Sequence, residues 1–254
     1  MRIAVITGAS SGIGKEFALK IPKCYRNLDE LWLTARNRER LDQLKDILEQ
    51  ELGIRARVFD GDLLREDIYL QIKTVLGTEQ PDIRMLVNAA GFGKAGTVSE
   101  IGNQIQEEMV ELNCKALMKM TCLCLPYLSK GSRIMNIASA AAFAPQPGFA
   151  VYAASKSFVL SFSRGLSMEL EQKGIVVTAV CPGPVDTAFF EVSGESGSKA
   201  KKTVMAQPGK VVKKALSDTR KQKELSIYGT AMKGAKIAVK LLPDCLLRRI
   251  MKKI

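Results

Sequence analysis

A tyrosine and a lysine four positions apart are the residues of this sequence best suited to acid–base chemistry. Tyr152 and Lys156 lie in the segment YAASK, which opens a long stretch of helical periodicity. Residues four apart share one face of a helix, so the ammonium is expected beside the phenol. A phenol has an ordinary pKa of about 10, and a neighbouring cation lowers it toward the range of efficient acid–base catalysis. The pair therefore predicts proton transfer by Tyr152.

A serine from another segment is predicted to lie in the same site as this pair. Ser139 ends an apolar run 13 residues before Tyr152, and its hydroxyl is predicted to hydrogen-bond the reacting oxygen. The sequence contains no histidine, which excludes Ser-His-Asp and Cys-His mechanisms and zinc sites with histidine ligands. The six cysteines form no C-x-x-C pair, so we expect reduced thiols and no metal site.

The segment after the first apolar run is rich in glycine. Residues 7–14 read TGASSGIG and lead directly into a helical stretch. Such glycines permit a tight turn and the close approach of a pyrophosphate, which the free N–H groups of the helix amino end attract. The predicted dinucleotide contacts in this loop are Gly8, Ser10, Ser11, Gly12, Ile13 and Gly14.

The residue at the end of the second apolar run indicates which dinucleotide the protein prefers. A site for NAD usually offers a carboxylate there to the adenosine ribose. This sequence has Arg36, 22 residues beyond Gly14, and a guanidinium suits a 2′-phosphate. We therefore predict NADP(H) in preference to NAD(H). Asp62, after the third run, is predicted near the adenine amine, with Leu63 beside it in the cofactor site.

Short apolar runs alternate with longer amphipathic segments along the chain. The runs predict strands at residues 2–7, 31–35, 55–59, 83–88, 133–138, 176–181 and 224–228. The amphipathic segments predict helices near residues 12–21, 38–51, 65–76, 104–128, 152–172 and 209–216. Continuous apolar runs favour parallel strands covered on both faces. We therefore predict an α/β fold, a Rossmann-type doubly wound parallel sheet of about seven strands in a single domain.

The length of 254 residues fits one domain. We assign residues 1–229 to a dinucleotide-binding catalytic domain, with a substrate loop at about 186–206. Residues 230–254 are assigned to a basic amphipathic extension of the same domain.

These motifs together resemble the short-chain dehydrogenase/reductase family, in its compact single-domain branch that prefers NADP. The resemblance covers roughly residues 1–190. Besides the glycine loop, Ser139, Tyr152 and Lys156, it rests on three further groups in family order: Asn88, Ala89, Ala90 and Gly91; then Asn113; then Pro182, Gly183, Val185 and Thr187.

The resemblance implies a role for each group. Tyr152 would donate the proton to a carbonyl oxygen while NADPH delivers hydride to its carbon. Lys156 would also bind the nicotinamide ribose, Ser139 would orient the substrate, and Asn113 would anchor a water in the proton relay. Residues 88–91 would steady the sheet beside the cofactor, and residues 182–187 would contact the nicotinamide carboxamide.

Phenylalanines near the predicted site indicate an apolar substrate. The predicted substrate contacts are Phe143, Phe149, Phe189 and Phe190, and Phe92 belongs to the same candidate pocket. Such a lining favours a hydrophobic ketone, an acyl chain or a sterol-like ring over a sugar. That several of them are plain core aromatics stays open.

The function hypothesis is an NADP(H)-dependent reductase of a hydrophobic ketone or 3-oxoacyl thioester, or a dehydrogenase of the matching secondary alcohol. The alternative is a dinucleotide-binding regulatory or docking protein of low turnover. By resemblance, we expect a homodimer or homotetramer formed through the helices near 104–128 and 152–172.

The excess of positive over negative charge is confined to the last 56 residues of the sequence. The net charge is +12, and residues 199–254 contain 16 Lys and Arg against 3 Asp and Glu. Two basic amphipathic helices, separated by Pro243, are predicted there. Packing on the domain or a sister subunit, an anionic membrane surface and an acidic carrier protein all remain open as partners. Apart from Tyr228, the segment lacks aromatic residues for base stacking, so no nucleic acid is expected.

The sequence contains no apolar stretch approaching the roughly 20 residues of a membrane-spanning helix. The first residues are interpreted as a core strand rather than a signal peptide. We therefore expect a cytoplasmic protein, with peripheral membrane contact left to the basic segment.

Overall fold

The computed structural model describes residues 1–187, 189, 193 and 205–251. Its strands form one seven-stranded parallel sheet in the order β3-β2-β1-β4-β5-β6-β7. The strands are β1 (Arg2–Thr7), β2 (Glu30–Ala35), β3 (Arg55–Asp60), β4 (Asp82–Asn88), β5 (Leu128–Ile137), β6 (Val176–Val180) and β7 (Leu225–Ser226). The strand order reverses between β1 and β4, where open α/β sheets bind ligands. The predicted Rossmann-type fold is confirmed.

Helices cover both faces of this sheet. They are α1 (Gly12–Cys24), α2 (Arg38–Gln50), α3 (Glu66–Glu79), α4 (Asn103–Val110), α5 (Leu117–Cys124), α6 (Ala150–Leu170), α7 (Pro208–Arg220), α8 (Thr230–Leu241) and α9 (Asp244–Met251). A π-helical turn (Glu111–Ala116) joins α4 to α5, and 3₁₀ turns follow α5 (Leu125–Tyr127) and β5 (Ala140–Phe143).

The core consists of two apolar layers, one on each side of the sheet. On one side of the sheet α1, α2 and α7 pack against the strands, and the side chains of Ala4 and Ile6 in β1 point toward these helices. On the other side α3, α5 and α6 pack on the strands, where Ile3 and Val5 point. Every residue of β2 is buried. Burial on both faces explains why the strands are continuously apolar in sequence.

Several predicted boundaries are wrong. The single helix expected at 104–128 is interrupted by the π turn and ends in a 3₁₀ turn at Pro126, while β5 begins at Leu128 instead of 133. The helix expected to end at residue 21 continues to Cys24 with Pro22 inside its last turn. The strand expected at 224–228 has only two residues. Helix α6 begins at Ala150, so Tyr152 is its third residue.

Candidate active site

The glycine loop brings the ends of β1 and β4 together. Gly8 and Gly12 have φ angles of +66° and +52°, a backbone conformation that residues with a side chain rarely adopt. A Cβ on Gly8 would lie 2.8 Å from the backbone nitrogen of Ala90, and one on Gly14 would collide with the carbonyl of Gly8. The Thr7 hydroxyl accepts hydrogen bonds from the N–H groups of Ala89 (3.1 Å) and Ala90 (3.2 Å). Only glycine allows this close backbone approach.

The amino end of α1 is open to an anion. Ser11 occupies the N-cap position without a side-chain hydrogen bond, and the first turn contains no acidic residue. The first N–H groups of a helix and its positive dipole end then attract negative charge. Ser10 is half-buried, Ser11 is exposed, and Ile13 packs against the core. These residues fit the pyrophosphate of a dinucleotide.

Arg36 stands at the end of β2 with its side chain 75% exposed. One guanidinium nitrogen lies 4.0 Å from a carboxylate oxygen of Asp62, whose other oxygen accepts a hydrogen bond from the N–H of Leu64. Leu63 is buried, and its carbonyl accepts a hydrogen bond from Tyr69. The structure thus brings Arg36 and Asp62 together at the carboxyl ends of β2 and β3, next to the glycine-loop end of β1.

Asn88 links the central strands to the helices beneath them. Its amide donates to Thr121 Oγ1 (3.0 Å) and to Asn136 Oδ1 (2.9 Å), and Asn136 in turn donates to Ser163 Oγ (3.0 Å). This buried chain joins β4, β5, α5 and α6. Such a network fixes the strand ends on which the site is built.

Asn113 lies in the π turn between α4 and α5, and it is fully buried. Its Oδ1 accepts from the Phe92 N–H (3.0 Å), and its Nδ2 donates to the Phe92 carbonyl (2.9 Å) and to Ser155 Oγ (3.0 Å). π turns often occur at functional sites because they redirect one side chain of a helix. Here the turn ties the segment after β4 to α6.

Lys156 is buried below Tyr152 on α6. Its ammonium nitrogen lies 5.8 Å from the centre of the Tyr152 ring and donates to the carbonyl of Ile137 (2.9 Å). A Cβ on Gly91 would lie 3.3 Å from the same nitrogen. Burial lowers the pKa of Lys156 to about 8. The ammonium of Lys156 therefore lies near the aromatic ring of Tyr152.

Two buried thiols lie in the surroundings of Lys156. Cys114 and Cys181 are buried, and burial raises the pKa of Cys114 and raises that of Cys181 to about 12. Both therefore stay protonated at neutral pH, and neither competes with Tyr152 for the proton.

Ser139 follows β5 and caps the 3₁₀ turn, accepting a hydrogen bond from the Ala141 N–H (3.1 Å). The next residue, Ala140, donates to the carbonyl of Pro182 (2.8 Å), which joins this turn to the segment after β6. Farther along that segment Val185 pairs with Ala206. A Cβ on Gly12 would lie 3.3 Å from Thr187. Residues 182–187 thus connect Ser139 to the glycine loop.

The phenol ring lies among aromatic side chains. Its centre is 4.3 Å from that of Phe149 and 5.4 Å from that of Phe189, and Phe92 packs in the same cluster. Phe143 packs in a different cluster, with Met232 of α8. Phe190 lies outside the described residues.

Sequence reasoning missed three residues that shape the site. Gly93 is buried where Phe149, Phe189 and Tyr152 meet. Ser155 accepts from Asn113 and donates to the carbonyl of Tyr152 (2.7 Å). Met232 lies where a side chain on Gly183 would be. Ser155 was inside the YAASK motif and Gly93 was two residues beyond Gly91, whereas only the fold brings Met232 to Gly183.

Several known proteins are similar to this chain. Residues 2–196 match the family model of the short chain dehydrogenases. The very-long-chain 3-oxoacyl-CoA reductase of Anas platyrhynchos is 37% identical over 204 residues, which cover 77% of this chain and 64% of that protein. The 17-beta-hydroxysteroid dehydrogenase type 3 of Mus musculus is 34% identical over 190 residues, covering 72% and 60%. This chain thus spans less than two thirds of the length of these two relatives.

A solved structure matches nearly the whole chain. It is a short-chain dehydrogenase from Sphingobium yanoikuyae in complex with NADPH, which superposes with a TM-score of 0.80 at 28% identity. The match covers 96% of this chain and 97% of that one.

Proposed function

The chain belongs to the short-chain dehydrogenase/reductase family, and from that premise we propose that it is an NADP(H)-dependent reductase of a hydrophobic ketone or 3-oxoacyl group, or a dehydrogenase of the matching secondary alcohol. Family membership makes it an oxidoreductase that uses a nicotinamide dinucleotide. The observation that carries the finer proposal is the buried ammonium of Lys156 beside the ring of Tyr152, at an aromatic cluster.

Tyr152 is the proton donor in this proposal. The positive charge of Lys156 stabilises the phenolate left after proton release, which lowers the free energy of that step. Because the pKa of Lys156 is about 8, most of this charge is present at neutral pH. Ser139 orients the carbonyl oxygen toward Tyr152, and Asn113 holds the segment after β4 in place. NADPH, when bound, supplies the hydride that reaches the carbonyl carbon.

Preference for NADP(H) rests on Arg36. Its exposed guanidinium stands at the end of β2, where a 2′-phosphate would meet it. The neighbour solved with NADPH shares this fold along nearly its whole length, so the fold can hold NADPH, and the choice between the two dinucleotides depends on Arg36.

The hydrophobic substrate class rests on the rings around Tyr152. Phe92, Phe149 and Phe189 pack around the ring of Tyr152. Apolar walls with one polar group suit a carbonyl carried on an acyl chain or fused rings. The names of the two relatives, a 3-oxoacyl-CoA reductase and a hydroxysteroid dehydrogenase, agree with this class.

A reductase screen tests the proposal. NADPH oxidation is followed with 3-oxoacyl thioesters, steroid ketones and bulky aryl ketones, using the wild type, Tyr152→Phe and the control Tyr127→Phe. We expect turnover that falls roughly 10²–10⁴-fold in Tyr152→Phe and changes little in the control. Turnover that survives in Tyr152→Phe contradicts the mechanism. Dinucleotide binding without turnover of any compound favours the regulatory alternative.

A further inference from the structure

The two C-terminal helices leave large apolar side chains in solvent. Helix α8 contains no buried residue. Its Ile237 and Leu241 are 60% and 77% exposed, and Leu246 and Ile250 of α9 are 42% and 39% exposed. In each helix the two residues are four apart, so each pair forms one apolar stripe on the helix surface. We call these four residues the apolar pairs.

Cations flank both stripes. In α8, Lys233 and Lys240 lie four positions before and three after Ile237, so they are its neighbours on the helix surface. In α9, Arg249 lies three positions after Leu246, and Arg248 is also exposed. Between residues 229 and 251 the sequence contains five Lys and Arg and a single acidic residue. The apolar pairs therefore lie in a strongly positive surface.

None of the residues that the structure describes covers this surface. Helix α8 faces the domain with its other side, on which Met232, Lys236 and Val239 are half-buried. The sulfur of Met232 lies 2.7 Å from where a Cβ on Gly183 would be. The helix is thus held against the catalytic edge of the sheet while the side bearing Ile237 and Leu241 points away. None of the described helices is long and apolar enough to cross a membrane.

The charge pattern selects one class of partner. A second copy of this chain would oppose the same cations to one another, which disfavours pairing of these surfaces. A nucleic acid would need aromatic side chains for stacking, and the sequence has none between residues 229 and 251. A purely acidic protein surface would meet the cations and leave the apolar pairs without a partner. An anionic bilayer offers both phosphates and acyl chains.

We infer that residues 230–251 lie on the surface of an anionic lipid bilayer, with the apolar pairs at the acyl boundary and the cations among the headgroup phosphates. Basic amphipathic helices bind in this way, with an affinity that grows with buried apolar area and with the negative charge of the lipid. Because α8 contacts Gly183, the catalytic edge of the sheet then stands near the lipid surface.

Vesicle flotation of the full chain tests this inference. Vesicles of phosphatidylcholine with phosphatidylglycerol are compared with pure phosphatidylcholine at low and physiological salt. An apolar variant carries Ile237→Ser, Leu241→Ser, Leu246→Ser and Ile250→Ser, and a charge variant carries Lys233→Gln, Lys240→Gln, Arg248→Gln and Arg249→Gln. The control variant carries Leu70→Ser and Val98→Ser, which are 62% and 60% exposed elsewhere on the surface. Thermal unfolding verifies that every variant folds.

We expect the wild type and control to float with anionic vesicles, and each segment variant to bind at least roughly tenfold more weakly. Binding to pure phosphatidylcholine should be roughly tenfold weaker for the wild type as well. A wild type that does not float at low salt overturns the inference. So does an apolar variant that binds like the wild type, because the surface then recognises charge alone, as for an acidic protein. Loss of oligomers in the apolar variant with vesicle binding unchanged assigns the pairs to a second copy instead.

Discussion

The ammonium nitrogen of Lys156, a buried residue, lies 5.8 Å from the centre of the Tyr152 ring. Among the residues that the structure describes, the ammonium donates a hydrogen bond to the carbonyl of Ile137, which is an uncharged acceptor. A buried cation without a carboxylate partner raises the free energy of the folded state, and the lowered pKa of Lys156 reflects that cost. The folded protein therefore retains a destabilising charge beside the residue that we propose as the proton donor.

Replacing Lys156 with methionine should stabilise the protein at neutral pH while abolishing turnover. The pKa of Lys156 is about 8 in the folded protein against an ordinary 10.5 in the unfolded chain. Between pH 8 and pH 10.5 the unfolded chain binds more protons than the folded protein, so the free energy of unfolding rises with pH. Below about pH 8 Lys156 is charged in both states, and the full cost of burying its charge remains. Removing this charge should therefore raise the free energy of unfolding by as much as about 3 kcal/mol at pH 7 and leave it unchanged above pH 10.5.

Urea unfolding of the wild type and Lys156→Met across this pH range measures the difference. Lys173→Met, at an exposed position, is the control and should leave the pH dependence unchanged. A stability difference that stays constant between pH 7 and 10.5 would show that the charge of Lys156 carries no folding cost.

Asn113→Ala should destabilise the protein more than an ordinary surface substitution. It removes the side-chain partner of both backbone polar groups of Phe92 and one of the two hydrogen bonds of the Ser155 hydroxyl. Buried polar groups left without partners cost about 1–3 kcal/mol each, so we expect a loss of about 3 kcal/mol. Urea unfolding measures it, with the exposed Asn103→Ala as control. A loss below about 0.5 kcal/mol would mean that water replaces these bonds.

The positions of the main site residues followed from the sequence because each stands at a strand end or in a local motif. The glycine loop, Asn88 and Ser139 come directly after β1, at the end of β4 and after β5, and parallel strands bring their carboxyl ends to one edge. Tyr152 and Lys156 needed only the helical repeat. Local spacing and the sheet topology together were sufficient for these residues.

Other features depend on contacts that no local pattern records. The π turn at Asn113 is stabilised by its bonds to Phe92 and Ser155, 21 and 42 residues away in sequence. The same long-range dependence explains why Met232 at Gly183 was missed. Phe143 was grouped with the substrate contacts because aromatic character alone does not say which side of a turn a ring takes. The homo-oligomer stays a prediction.

Arg36→Asp should reverse the preference between the two dinucleotides. The guanidinium of Arg36 is exposed, and it lies as far as 4.0 Å from the carboxylate of Asp62. Because this ion pair is long, the guanidinium can turn toward a 2′-phosphate. Charge-assisted hydrogen bonds contribute about 1.5–3 kcal/mol, so the Kd for NADPH should rise roughly 10–100-fold. The Kd for NADH should stay the same or fall. Fluorescence titration gives both constants.

Arg40→Asp makes the same charge change at an exposed position on α2 and serves as the control for Arg36→Asp. It should weaken NADPH binding only through long-range, salt-sensitive attraction. Equal losses in the two variants, or a wild type that binds NADH as tightly as NADPH, would contradict the role given to Arg36.

Gly93→Ala should reduce catalysis without affecting dinucleotide binding. A Cβ there would lie 2.7 Å from Phe189 and 2.9 Å from both Phe149 and Tyr152, so the rings must move apart. The φ angle of Gly93 is not among the positive ones, so the backbone accepts alanine. Displacement of a catalytic group by about 1 Å costs roughly 10²-fold in rate. We expect kcat/KM to fall at least roughly tenfold while the Kd for NADPH is unchanged.

Gly102→Ala is the matched control for this substitution, because it follows in the same segment and a Cβ there meets no atom within 4 Å. Steady-state kinetics on the best ketone from the screen, with NADPH titrations alongside, separates the two effects. If the rings of Phe149 and Phe189 position the phenol, Gly93→Ala alone loses activity, and bulky ketones lose more than small ones because the pocket narrows. Equal activity in the two variants would show that the aromatic cluster does not determine where Tyr152 lies.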